Sequence, residues 1–133
     1  MVSQVRKTDT PPDPGIQVLT DVLGRRVRAR RSDLGYSQVE LAGYMAQRGH
    51  GWVHGTVSRI EKGDVEPTLS ELVSLMFVLG SNFGELLDPV LTGGNPVDLG
   101  LNEPADAEYA RQLLSGEKHV RTAGTRRREV DDG

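Results

Sequence analysis

The 133-residue sequence contains no cysteine, which excludes disulfides and thiolate metal sites. That absence fits a reducing cytosol, and a cytoplasmic location is expected. No apolar run approaches the roughly 18 residues of a membrane span, and the opening MVSQVRKTDTPPDPG lacks the apolar centre of a secretory signal. Also missing are the phosphate-cradling GxxxxGK[ST] loop, the GxSxG elbow, the HExxH pair and the calcium loop. His50, His54 and His119 form no obvious metal triad, because the spacing from His50 to His54 crosses glycine-bearing chain and not helix. An enzyme, a metal and a cofactor are therefore not expected. A formal charge of −3 and a pI of 5.6 count against a nucleic-acid binder that is basic as a whole, so only local charge can support that role.

What is present suits one small domain with flexible ends. Residues 1–15 hold Pro11, Pro12 and Pro14 and almost nothing apolar, and are read as a disordered arm. From 16 to 91 apolar residues recur at helical spacing, and nothing alternates long enough for a convincing strand. Residues 92–104, TGGNPVDLGLNEP, have the composition of a linker, with Val97, Leu99 and Leu101 as candidates for a short extended piece. Residues 105–116 read as a C-terminal helix with Tyr109, Leu113 and Ala110 towards one side. Residues 117–133 form a polar tail, whose three arginines at 126–128 are either solvated or a minor-groove arm.

Three helix starts carry a capping box, in which the cap side chain accepts from the N3 amide and an N3 glutamate reaches back. Ser37 with Glu40, Thr68 with Glu71, and Asn82 with Glu85 fit it, placing starts near Gln38, Leu69 and Phe83. Gly63 and Gly80 stand where left-handed helix stops belong. An earlier helix begins between Ile16 and Asp21 and ends before Gly35, and a short one runs from about His54 to Lys62. The expected fold is all-α, with five helices. Leu23, Val27, Leu34, Leu41, Ala42, Met45, Val57, Ile60, Leu72, Val73, Met76, Leu79, Leu86 and Leu87 are its expected core.

The stretch GTVSRIEKGDVEPT, residues 55–68, gives a helix too short to be justified by its buried pair, Val57 and Ile60, with Arg59 on its outer face. Together with LGYSQVELA before it and PTLSEL after it, this order resembles the Cro and phage-repressor helix-turn-helix family, also called the xenobiotic response element family. The resemblance spans Leu23 to Asp88, about half the chain. It implies a lambda-repressor-like domain that places its third helix in the DNA major groove. By position, His54, Gly55, Thr56 and Arg59 would then contact bases. Ser37, Gln38 and Lys62 would meet phosphates, with Arg25, Arg26, Arg28 and Arg48 as further phosphate candidates. The same resemblance makes Arg31 and Glu61 a structural ion pair.

The chain departs from the compact pattern by about five extra residues within GYMAQRGHGWVHG. An extra turn on the second helix through Gln47, then a glycine-rich loop plugged into the core by Trp52, accommodates them. Val53 consequently stands where a Ser or Thr cap would be expected.

The reading that follows is a sequence-specific transcriptional regulator of double-stranded DNA, a repressor, acting as a homodimer. Its pairing surface would comprise Leu86, Leu87, Val90 and Leu91, extended by Tyr109, Leu113 and Leu114. Alternatively residues 97–114 dock on their own domain, or touch a second stretch of DNA in a monomer. The rival reading is a protein-interaction adaptor or antitoxin that uses the same helical module.

Overall fold

A computed structural model describes residues 15–120. The arm at 1–15, except for Gly15, and the arginines at 126–128 lie outside them. In chain order the elements are β1 (Gln17–Val18), α1 (Leu19–Leu34), α2 (Gln38–Gln47), α3 (His54–Glu61), α4 (Leu69–Leu79), α5 (Phe83–Leu86), β2 (Val97–Asp98) and α6 (Ala107–Leu114). No helix among the described residues is long and apolar enough to cross a membrane.

Local chemistry sets these boundaries. Ser37 Oγ accepts from the Glu40 amide at 3.0 Å while Glu40 accepts from the Ser37 amide at 2.7 Å, and Thr68 and Glu71 repeat the exchange at 3.1 and 2.8 Å. At α5 only half of the box forms. Asn82 Oδ1 accepts from the Glu85 amide at 2.8 Å, but the Glu85 carboxylate takes the Ser81 hydroxyl instead, also at 2.8 Å. Gly63 and Gly80 adopt the expected left-handed turns, at φ 75° and 59°.

The principal core joins α1 to α5 through Leu23, Val27, Leu41, Met45, Val57, Ile60, Leu75, Leu79 and Leu86. Each such side chain contributes about 1.5–3 kcal/mol by leaving water. Two expectations need correcting. Leu34 is 36% exposed at the end of α1. On α4 the core-facing stripe runs through Leu72, Leu75, Met76 and Leu79, the i, i+3, i+4, i+7 series, with Leu75 and Leu79 buried and Leu72 and Met76 partly so; Leu75 thus enters the core and Val73 falls beside it.

Residues 92–104 do more than link. Gln17 pairs with Val97 and Val18 with Asp98 in a two-strand parallel ladder, and Val97 forms an antiparallel bridge to Ala105. A second small core of Val97, Ala105 and Ala110, flanked by Leu19 and Leu99, seals this annex against the start of α1. The C-terminal segment thus docks on its own domain. On α6 it is Ala107 and Ala110 that are buried, while Tyr109 stays 39% exposed. Leu86 is fully buried in the main core, which removes it from any pairing surface.

Candidate nucleic-acid interface

α3 is a two-turn helix held from three sides. Val57 and Ile60 bury its inner face. Gly24 lets α1 cross it closely: a β-carbon there would stand 2.5 Å from the Ile60 carbonyl oxygen and 2.6 Å from that of Glu61. At its C-terminal end, Glu61 receives Arg31 Nε at 2.5 Å, Arg31 Nη2 at 3.1 Å and Gln38 Nε2 at 3.1 Å. Arg31 also donates from Nη1 to the Tyr36 carbonyl at 2.8 Å, so one guanidinium ties α1, the turn before α2 and α3 together. The Glu61 hydrogen bond raises the Arg31 pKa against the opposing effect of burial.

This lattice fixes which face of α3 is left over. His54, Arg59 and Lys62 are exposed, and Gly55 and Thr56 are half-buried. The Arg59 guanidinium folds back along the helix, with Nη1 3.7 Å from where a β-carbon on Gly55 would lie. It has no hydrogen-bond or ion-pair partner among the described residues. Neither Glu61 nor Glu66 engages it: the first is taken by Arg31, and the second is exposed without a bond to it. Thr56 has a local duty, since its Oγ1 accepts the Val53 amide at 3.3 Å, the returning half of a capping box whose other half valine has no oxygen to make.

The phosphate candidates divide. Ser37 is exposed at the start of α2, where its hydroxyl takes the Glu40 amide and the Gln38 and Val39 amides have no intrahelical acceptor. The Gln38 side chain is committed to Glu61, leaving its backbone amide as the group that could meet an anion. Lys62 and Arg28 are exposed, without a partner among the described residues. The other three arginines serve within the protein. Arg26 Nε donates to the Glu85 carbonyl at 2.9 Å, and Arg25 Nη1 reaches the Thr92 carbonyl at 3.4 Å. Arg48 lies over the Phe77 ring, 4.8 Å from its centre, a cation–π contact that turns it towards α4.

The long turn between α2 and α3 is anchored at two points. Trp52 is 6% exposed and donates Nε1 to Glu71 Oε2 at 2.7 Å, which makes it a core plug. His50 Nε2 pairs with the Ser74 hydroxyl at 2.8 Å, tying the turn to α4. Burial opposes ionisation of Glu71, but hydrogen bonds from Trp52 and Thr68 outweigh it and hold the carboxyl below its ordinary range. Sequence reasoning missed Gly24, whose role is a close helix approach, and Arg30, which donates to the Leu79 carbonyl at 2.7 Å and caps the end of α4.

No known family model matches the chain, and no curated protein matches it. Among solved structures, the crystal structure of the clp gene regulator ClgR from C. glutamicum is similar to it, with 28% identity, a TM-score of 0.49, and coverage of 59% of this chain and 90% of that one.

Proposed function

We propose that this chain is a sequence-specific DNA-binding regulator of transcription, a repressor, that lays α3 in the major groove and reads a guanine with Arg59. The observation that carries it is the Arg59 guanidinium, exposed and unpaired among the described residues on a helix whose other faces are locked. A free guanidinium fork matches the O6 and N7 acceptors of guanine. Lys62, Arg28, the Ser37 hydroxyl and the first amides of α2 meet phosphates on either side. His54 and Gly55 complete the surface that approaches the bases.

The test is duplex binding at graded salt, which should weaken steeply as neutralised phosphates regain their counterions. Arg59→Ala should lose roughly 5- to 150-fold in affinity and relax the preference for guanine, whereas Lys62→Ala should weaken all sequences alike. Unchanged affinity and preference in Arg59→Ala would overturn the assignment. A homodimer on a near-palindrome with half-sites one helical turn apart is part of this proposal. Its pairing surface is Val90, Leu91 and Tyr109, which are 39%, 60% and 39% exposed. A monomeric mass in sedimentation at micromolar concentration would remove the dimer.

A second reading, the protein-interaction adaptor or antitoxin, has one observation in its favour. A shallow groove of about 230 Å³ is lined by Tyr36, Tyr44, Gln47, Arg48, Phe77 and Val78, and Phe77 is 67% exposed. Duplex binding insensitive to salt, together with loss of a protein partner in Phe77→Ser, would favour this reading.

A further inference from the structure

The start of α3 breaks a local rule. An N-cap position favours Ser, Thr, Asp or Asn, whose side chains accept a first-turn amide. Here Val53 holds it in extended conformation, φ −124° and ψ 173°, without a side-chain cap, and it is 63% exposed. Nor is the valine needed as the apolar staple of the helix start. Trp52 before the cap and Val57 at N4 supply that pair, and both belong to the main core. The Val53 amide is already satisfied by Thr56 Oγ1. What remains is an apolar side chain left in water at a position where a polar one would stabilise the fold. Rules broken without local gain concentrate at functional sites.

Its neighbour defines the chemistry. The Arg59 guanidinium lies over Gly55, two residues on from Val53. Two residues of chain span at most about 7 Å, which is about two base steps at 3.4 Å each. Among base edges in the major groove, the thymine C5-methyl is the apolar group, and aliphatic side chains contact it.

We propose that Val53 is a specificity-determining residue that packs on a thymine methyl within two base pairs of the guanine read by Arg59. This rests on the DNA-binding reading above and adds a second base to it.

The experiment uses the full chain and a preferred duplex selected from randomised sequence. Each thymine within two base pairs of the guanine whose preference relaxes in Arg59→Ala is replaced by deoxyuridine, which pairs identically but lacks the methyl. The wild type should bind one such duplex about 4-fold more weakly, the equivalent of one buried methyl at about 0.8 kcal/mol. Val53→Ala should bind the thymine and uracil duplexes alike. Val53→Ser, which restores a capping hydroxyl, should raise thermal stability and still lose the discrimination. The proposal fails if the wild type ignores every such replacement, if Val53→Ala still discriminates, or if the selected site has no thymine in that window. In each of those cases steep salt dependence and the guanine preference would persist, leaving the DNA-binding reading intact. Loss of both would sink that reading and this inference together.

Discussion

Arg31 and Glu61 form a two-point ion pair, at 2.5 and 3.1 Å, that fastens the last turn of α1 to the last residue of α3, with side chains only 13% and 5% exposed. Removing one member strands the other in a mostly dry setting. Glu61→Ala should therefore cost about 3 kcal/mol in urea unfolding, in the range for a buried pair stripped of one partner. Gln38→Ala removes only a neutral donor to the same carboxylate and should cost about 1.5 kcal/mol, the low end for a hydrogen bond to a charged group. Equal losses in the two variants would show that the pair is not the fastening.

The crossing of α1 over α3 gives a sharper expectation. A β-carbon at residue 24 would be driven into two backbone carbonyl oxygens, which no side-chain rotation relieves. Gly24→Ala should cost about 1–3 kcal/mol despite the gain in helix propensity that alanine brings elsewhere. Thermal unfolding reads it directly, and a variant as stable as the parent would mean that the helices part freely.

The arginines of α1 should separate into two kinds. Arg30 holds the terminal carbonyl of α4, so Arg30→Ala should lose about 1.5–3 kcal/mol of stability, as for a hydrogen bond to a charged group, and leave the salt dependence of duplex binding unaltered. Arg28 has no such bond, and Arg28→Ala should lower the salt slope by about 1 with little change in stability. Denaturation and salt titration of both variants, side by side, decide it.

Acid should loosen the turn before α3. The Glu71 carboxyl is held below its ordinary value in the folded protein, so its contribution is complete above the unfolded pKa of about 4.5 and disappears as pH falls through the lower folded value. Trp52, the single tryptophan of the chain, is hydrogen-bonded to that carboxylate and reports the change by fluorescence. Glu71→Gln should be less stable than the parent at pH 7 and should lose less stability between pH 5 and pH 3. Parallel pH profiles for the two would contradict this.

How much of this was legible beforehand follows from where each interaction closes. The helix starts at Gln38, Leu69 and Phe83 were readable, because the cap side chain and the N3 amide it accepts lie within four residues, even at Phe83 where the glutamate does not complete the box. Trp52 was readable as a plug from its place after a glycine-rich loop. The Arg31–Glu61 pair came only from resemblance, being 30 residues apart in sequence. The intramolecular bonds of Arg25 and Arg26 were not foreseen, because their acceptors are backbone carbonyls 67 and 59 residues away, and a carbonyl leaves no trace in composition. Gly24 was invisible for a related reason: an absent side chain matters only once another helix lies across it. The annex was equally hidden, since a two-residue strand shows no period.

The Gln17 side chain reaches three points beyond α5. Its amide donates to the carbonyls of Pro89 and Asn95, both at 2.8 Å, and its oxygen accepts the Thr92 hydroxyl at 2.5 Å. The front of the helical module is thereby buckled to a stretch that a fragment cut at residue 91 would discard. Such a shortened version would bare Leu19 and leave Gln17 only the Pro89 carbonyl of its three partners. The smallest self-sufficient piece consequently ends nearer residue 116, and dissection of this protein into recognition and accessory halves has no clean seam to follow.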